Sequence, residues 1–380
     1  MTKNLFKKIV MLLCMGLLFT ACGSDDPEPE VDQLDATKTA ILSQYVNGVV
    51  VPTYKSLADN AIELSELCSQ LRKNPSQTLV DQACDKWIDA RKYWELSEAF
   101  LFGAAGDYFI DPHIDSWPLK KSSLDEVLNN SALMAELDED GAGADGFTTL
   151  GYGLLGFHAV EYVLFRDGEA RDLSDISENE LIYNAAVAED LAIQAIRLEA
   201  SWAGMSNISS DKRQALEDYE LEPSMNYGET MINAGMAGNA SYKTQLDAMV
   251  QLLQGASDIS DEVGNTKITD PVNSGNVLDV ESWYSWNSIA DFTDNLRSVR
   301  NAYYGSLNGQ VNTNSMASYM AKSHANIDTE LRRAIDNAIN TVAAMPAPFR
   351  NHLSKAETQD AVDACNALME QLDAAIEAIQ

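Results

Sequence analysis

Residues 154–165 read LLGFHAVEYVLF, an apolar run interrupted only by His158 and Glu161. Its apolar positions recur at helical spacing, and residues three apart on a helix share one face, so His158 and Glu161 project together beside Leu154 and Phe165. Such a face leaves water. A buried imidazole or carboxylate is costly unless paired, so each requires a partner from elsewhere in the fold. Gly151, Gly153 and Gly156 sharpen this expectation. Each costs roughly 1 kcal/mol against alanine in a helix, which implies that another segment passes close to this backbone.

Outward from this run, helical periodicity dominates and strand-like alternation is scarce, so the fold class is all-α. The spacing predicts helices over 36–71, bent at Pro52, and over 78–102, stopped by Gly103. Further helices are expected over 123–137, 148–165, 178–201, 210–255, 279–304 with Asp279 as N-cap, 313–345 and 355–379. Long connections are expected at 102–121 and 258–277. A division near Ser209 gives an N-terminal helical bundle, 36–209, and a C-terminal one, 210–380, whose lengths suit a duplication although no sequence repeat relates them.

The first residues set the compartment. Lys3, Lys7 and Lys8 precede a twelve-residue apolar stretch too short to span a bilayer, which reads as a secretory signal peptide over 1–21. The acidic, proline-containing segment 22–35 cannot bury enough surface to order itself and is expected to act as a tether. The 380-residue chain carries 26 basic and 58 acidic residues, a formal charge of −32. Phosphate backbones repel such a surface and no basic stripe opposes the net field, so nucleic acid is excluded as a partner. Such a charge keeps the chain soluble, which is its plain reading, and would also draw in cations. Cys68 and Cys84 flank the turn at Ser76 symmetrically, which predicts a Cys68–Cys84 disulfide outside the cytoplasm, the alternative being two buried thiols.

His158 and Glu161 alone could be an ordinary ion pair. They complete no standard metal motif: Glu161 is followed by Tyr162 rather than histidine, as a zinc peptidase helix requires, and no Glu-x-x-His occurs to support a di-iron bundle. Three other features read as structure. The segment 136–145, ELDEDGAGAD, lacks the closing glutamate of a calcium loop. Met225, Met231 and Met236 read as core filling, and Trp283 and Trp286 as packing.

Gly156, His158 and Glu161 spell Gly-x-His-x-x-Glu, and here the chain resembles the imelysin family. The segments 90–103 and 115–128, with Glu98, Asp115, Trp117 and Pro118, are similar to that family's first block, and 291–305, with Arg297, to its C-terminal helix. Leu18 to Cys22 resemble a bacterial lipobox. These resemblances imply lipidation at Cys22, anchorage to a bilayer at the bacterial outer membrane, and two helical halves with the signature helix at their junction. They also imply either a peptidase or a ligand-binding domain like those of iron-uptake proteins. The preferred reading is a metal ion or small ligand held around His158 and Glu161. Gly156, Glu98, Asp115 and Trp117 line that cleft and Arg297 balances charge. A set of His158, Glu161 and Glu98 suits zinc or iron, with His113 also in the first block. In the peptidase reading Glu161 is the general base and His158 a metal ligand; a structural or adhesive surface protein is the third.

Overall fold

The computed structural model describes residues 34–138, 151–354 and 356–380. The signal peptide, Cys22, nearly all of the tether and most of 136–145 lie outside these residues. Asp35 caps the first helix, Ala36–Tyr45, accepting from the Thr37 and Lys38 amides. A π-turn, Val46–Val50, then leads without a break into Val51–Lys73, with Pro52, which has no N–H to give to the preceding turn, directly after it. The expected irregularity at Pro52 therefore lies just before it. Ser76 caps Gln77–Glu95, and a capping box of Ser177 and Glu180 starts the 26-residue helix Glu178–Ala203. Val51–Lys73 packs against both of the other long helices, and Trp87, Trp94, Tyr54, Tyr183 and Trp202 are buried on this group.

The second group comprises Gln245–Glu262, Ser288–Tyr304, Ala325–Ala343 and Ala356–Ile379. Ser288–Tyr304 packs against Gln77–Glu95, and Gln245–Glu262 against the turn Glu98–Phe100. Residues Leu34–Gln380 form one compact unit. Strand is confined, among the described residues, to one antiparallel pair, Phe165–Arg166 with Glu169–Ala170.

Several expectations are corrected. The helix expected over 210–255 is three pieces, Ser210–Asp218, Tyr227–Ile232 and Gln245–Glu262, because Gly235 and Gly238 take positive φ between the second and third. The first two pieces pack on Glu178–Ala203, so the C-terminal group of helices begins at Gln245. Most of the connection expected at 258–277 is helical: Gln245–Glu262 continues through a π-turn, Val263–Ile268, into Thr269–Ser274. Asp279 ends a 3₁₀ turn, and the helix expected to start there starts at Ser288. The run carrying Trp283 and Trp286 cannot be helical, since Ser282 and Trp286 adopt left-handed φ.

The disulfide is absent. Cys68 and Cys84 are buried free thiols, as is Cys365. The Cys84 thiol sits 3.5 Å from the Leu164 carbonyl oxygen, to which it donates. Burial raises the Cys68 and Cys365 thiols to about 12.

Candidate functional site

The signature helix, Gly156–Leu164, is fully buried. Gly156 opens it at positive φ, and a Cβ there would collide with the Ile114 carbonyl, so only glycine lets the segment Ile110–Ile114 cross this close. That crossing delivers Asp115 to the imidazole of His158. His158 Nδ1 lies 3.0 Å from Glu161 Oε2, and Nε2 lies 3.1 Å from Asp115 Oδ1, off the hydrogen-bonding direction. The Trp117 ring closes over the imidazole at 4.6 Å between centroids. Burial works to lower the His158 pKa, but Asp115 and Glu161 outweigh it and push it up to about 9.

Glu161 is held by the segment after the second π-turn. Its Oε1 accepts from the Tyr284 amide at 3.0 Å, the Ser285 amide at 2.8 Å and the Ser285 hydroxyl at 2.7 Å. With Oε2 against His158, both oxygens are engaged. The positive φ at Ser282 and Trp286 bends this turn into the form that aims two successive amides at one carboxylate oxygen.

Arg91, wholly buried, is the hub. Its guanidinium pairs with Asp115, with Glu281 at 2.5 Å and with Glu95 at 2.6 Å, and its Nε lies 3.8 Å from Asp291. Lys267 Nζ lies 3.2 Å from Glu281, 3.6 Å from Glu98 and 3.8 Å from Glu95. The Trp94 indole N–H donates to Asp115 at 2.6 Å and the Asn295 amide to Glu95 at 2.5 Å. Carboxylates outnumber these cations. The consequence is visible in their proton affinities: burial, with neighbouring acids, raises Glu95, Glu98 and Glu262, lifts Asp291 to about 7 and Asp111 to about 6. For Asp115 burial acts the same way, but Arg91 and then His158 prevail and its carboxyl stays far below the usual range.

Glu98, Asp115, Lys267 and Glu281 from this cluster line a cavity of about 710 Å³, lined also by Leu101, Pro118, Thr266, Asp270 and Asp279. Two sets of donor atoms lie within 4.8 Å of one another: Asp115, His158 and Glu281, and Glu95, Glu98 and Asp115. The fit to a cation is supported by orphaned atoms. His158 Nε2 and Glu281 Oε2 are buried without a hydrogen-bond partner. Both sets combine one or more hard oxygen donors with at most one imidazole, which suits iron, manganese or zinc.

Of the residues singled out from sequence, Gly156, His158, Glu161, Glu98, Asp115 and Trp117 meet here. The set His158, Glu161 and Glu98 does not form: Glu161 is saturated by the 284–285 turn, and Glu98 groups with Glu95. Arg297 is elsewhere, its side chain 43% exposed and paired with Asp294 at 2.7 Å, because it faces away from the signature helix on Ser288–Tyr304. Its balancing role falls to Arg91 and Lys267. His113 bonds Asp190 at 2.7 Å, outside both donor sets. Arg91 and Glu95 were within reach of sequence reasoning: they stand four apart in the block that holds Glu98, on the face that a buried acid's counter-charge must occupy. Lys267 and Glu281 carried no comparable signal, since Lys267 lies in a stretch that reads as a connection and Glu281 in the first turn of an expected helix that in fact starts at Ser288.

Fold and site together define an all-helical protein with a buried, acid-rich cluster of carboxylates around one histidine. The chain belongs to the imelysin family: the family model for imelysin, a peptidase family by designation, matches residues 50–375. It is 27% identical over 351 residues to iron-regulated protein A of Synechococcus elongatus, covering 92% of this chain and 86% of that one. A crystal structure of a candidate iron-regulated protein A precursor from Parabacteroides distasonis matches with TM-score 0.79 at 30% identity, covering 92% of this chain and 96% of that one. An imelysin-like protein of Psychrobacter arcticum matches at TM-score 0.63 and 13% identity, over 88% of this chain and 92% of that one, a likeness of fold.

Proposed function

We propose that this chain is an iron-linked binding protein that takes one divalent cation, iron in the cell, at Asp115, His158 and Glu281. The observation that carries the reading is the convergence of these three donors within 4.8 Å, with Asp115 and Glu281 on the wall of an acid-lined cavity and His158 buried behind them. Glu161 then orients rather than ligates. By accepting from His158 Nδ1 it fixes the ring and leaves Nε2 towards Asp115, an arrangement that raises the basicity of a metal-bound imidazole. Entry of the cation displaces the Nε2 proton and loosens the hold of Arg91 on Asp115 and Glu281. Relatives described as iron-regulated support iron over other cations of similar size.

The peptidase reading asks Glu161 to act as a general base, and four hydrogen bonds already engage its two oxygens. That favours binding over hydrolysis. Anchorage through Cys22 at the outer membrane belongs to the same proposal, as the place where an envelope protein meets its cation. The test is calorimetric titration with iron(II) under anaerobic conditions. Wild type is expected to bind, His158→Ala to lose at least 100-fold in affinity, and Glu161→Gln to lose roughly 10–100-fold; equal affinity in all three would exclude the site.

A further inference from the structure

Lys267 stands in the second carboxylate group. It lies on the π-turn Val263–Ile268, where one extra residue per turn changes the angular phase of the helix beyond it. Its ammonium is within 4 Å of Glu281, Glu98 and Glu95 but makes its single hydrogen bond to Glu281, at 3.2 Å. An ammonium has three protons to donate, so it is held here chiefly as a point charge among acids. Glu95, Glu98 and Asp115 meanwhile offer oxygens within 4.8 Å of one another, a spacing that suits a metal ion. A second observation also points to a missing ligand: Glu281, 6% exposed, keeps Oε2 buried and unpartnered on the cavity wall beside them. Asp115 is common to both donor sets.

We infer that the Lys267 ammonium is a resident cation, supplied by the chain itself, which stands against Glu95 and Glu98 of the Glu95–Glu98–Asp115 group and limits the protein to one exogenous divalent ion. Without it the two groups become a carboxylate-bridged pair with Asp115 between the ions. The residue therefore sets stoichiometry and nuclearity. This inference rests on the binding reading above, and the experiment separates the two.

Manganese(II), an air-stable ion with the same preference for oxygen and imidazole, is titrated into wild type, Lys267→Gln, Lys267→Arg and the double variant Lys267→Gln/Glu98→Gln. Bound ion is counted after desalting, and paramagnetic resonance reads whether two ions are coupled. One ion is expected in wild type and Lys267→Arg, two coupled ions in Lys267→Gln, and one again in the double variant. Wild type binding none removes the binding reading and with it this inference. Wild type binding two, or Lys267→Gln binding one, overturns this inference alone. Should Lys267→Gln fold poorly, manganese is expected to restore its melting temperature by replacing the lost charge; failure to fold with the ion present also counts against the proposal.

Discussion

At the scale of single residues, the site is a set of groups that each need the others. Arg91 lies among four acids, and removing it by Arg91→Met leaves buried Asp115 with only His158 beside it, and Glu95 and Glu281 sharing Lys267. A loss of about 3–5 kcal/mol is expected in chemical denaturation, larger than for any exposed arginine, for example Arg333→Met. The burial and pairing of His158 and Glu161 were legible in the sequence because an apolar run with two polar residues at helical spacing admits few other solutions. Their partners were not, since Tyr284 and Ser285 bind through main-chain amides, which every residue but proline possesses. The cysteines show the other limit. Equal distance from a turn places two residues side by side but does not set the direction of their Cβ atoms, and unreduced protein is expected to yield the Cys68 and Cys84 peptides unlinked in mass spectrometry.

Helix ends and interruptions are the elements on which the site depends. Gly156→Ala combines a positive φ, costing about 1–2 kcal/mol, with a collision against the Ile114 carbonyl, and is expected to lower the melting temperature and weaken cation binding together. The capping box at Ser177 offers a test of electrostatics away from the site. Glu180 accepts from Ser177 N at 2.8 Å and from Arg171 at 2.8 Å. Burial works to raise its pKa, but Arg171 and Ser177 lower it below the ordinary glutamate value. Its contribution is therefore present above the unfolded-state pKa and fades as pH falls through the folded one. Glu180→Gln is expected to cost about 1–2 kcal/mol at pH 7 and progressively less below about pH 4.5, read from urea denaturation at several pH values. Periodicity located most of the long helices. It missed the two π-turns, where an added residue leaves the apolar pattern nearly intact, and it joined helices across Gly235 and Gly238, whose left-handed geometry leaves no trace in hydropathy.

For the whole molecule, the site ties together segments that are far apart in sequence: Arg91 from the helix Gln77–Glu95, Asp115, the signature helix, Lys267 and Glu281. Binding there should stabilise the protein as a unit. A cation at 100 times its dissociation constant adds about 2.7 kcal/mol by mass action, so stripping iron with a chelator is expected to lower the melting temperature and restoring it to reverse the change. The all-helical class came from period alone, but the division at Ser209 did not carry over to the packing, because the short helices after it rest on Glu178–Ala203. The net charge of −32 is consistent with a molecule whose cavity gathers cations.

The most direct test is anaerobic iron(II) titration of wild type and His158→Ala, with the fold of each verified by circular dichroism. One ion per wild-type chain and none in the variant is the predicted result. A folded His158→Ala protein that binds iron as wild type does would contradict the account.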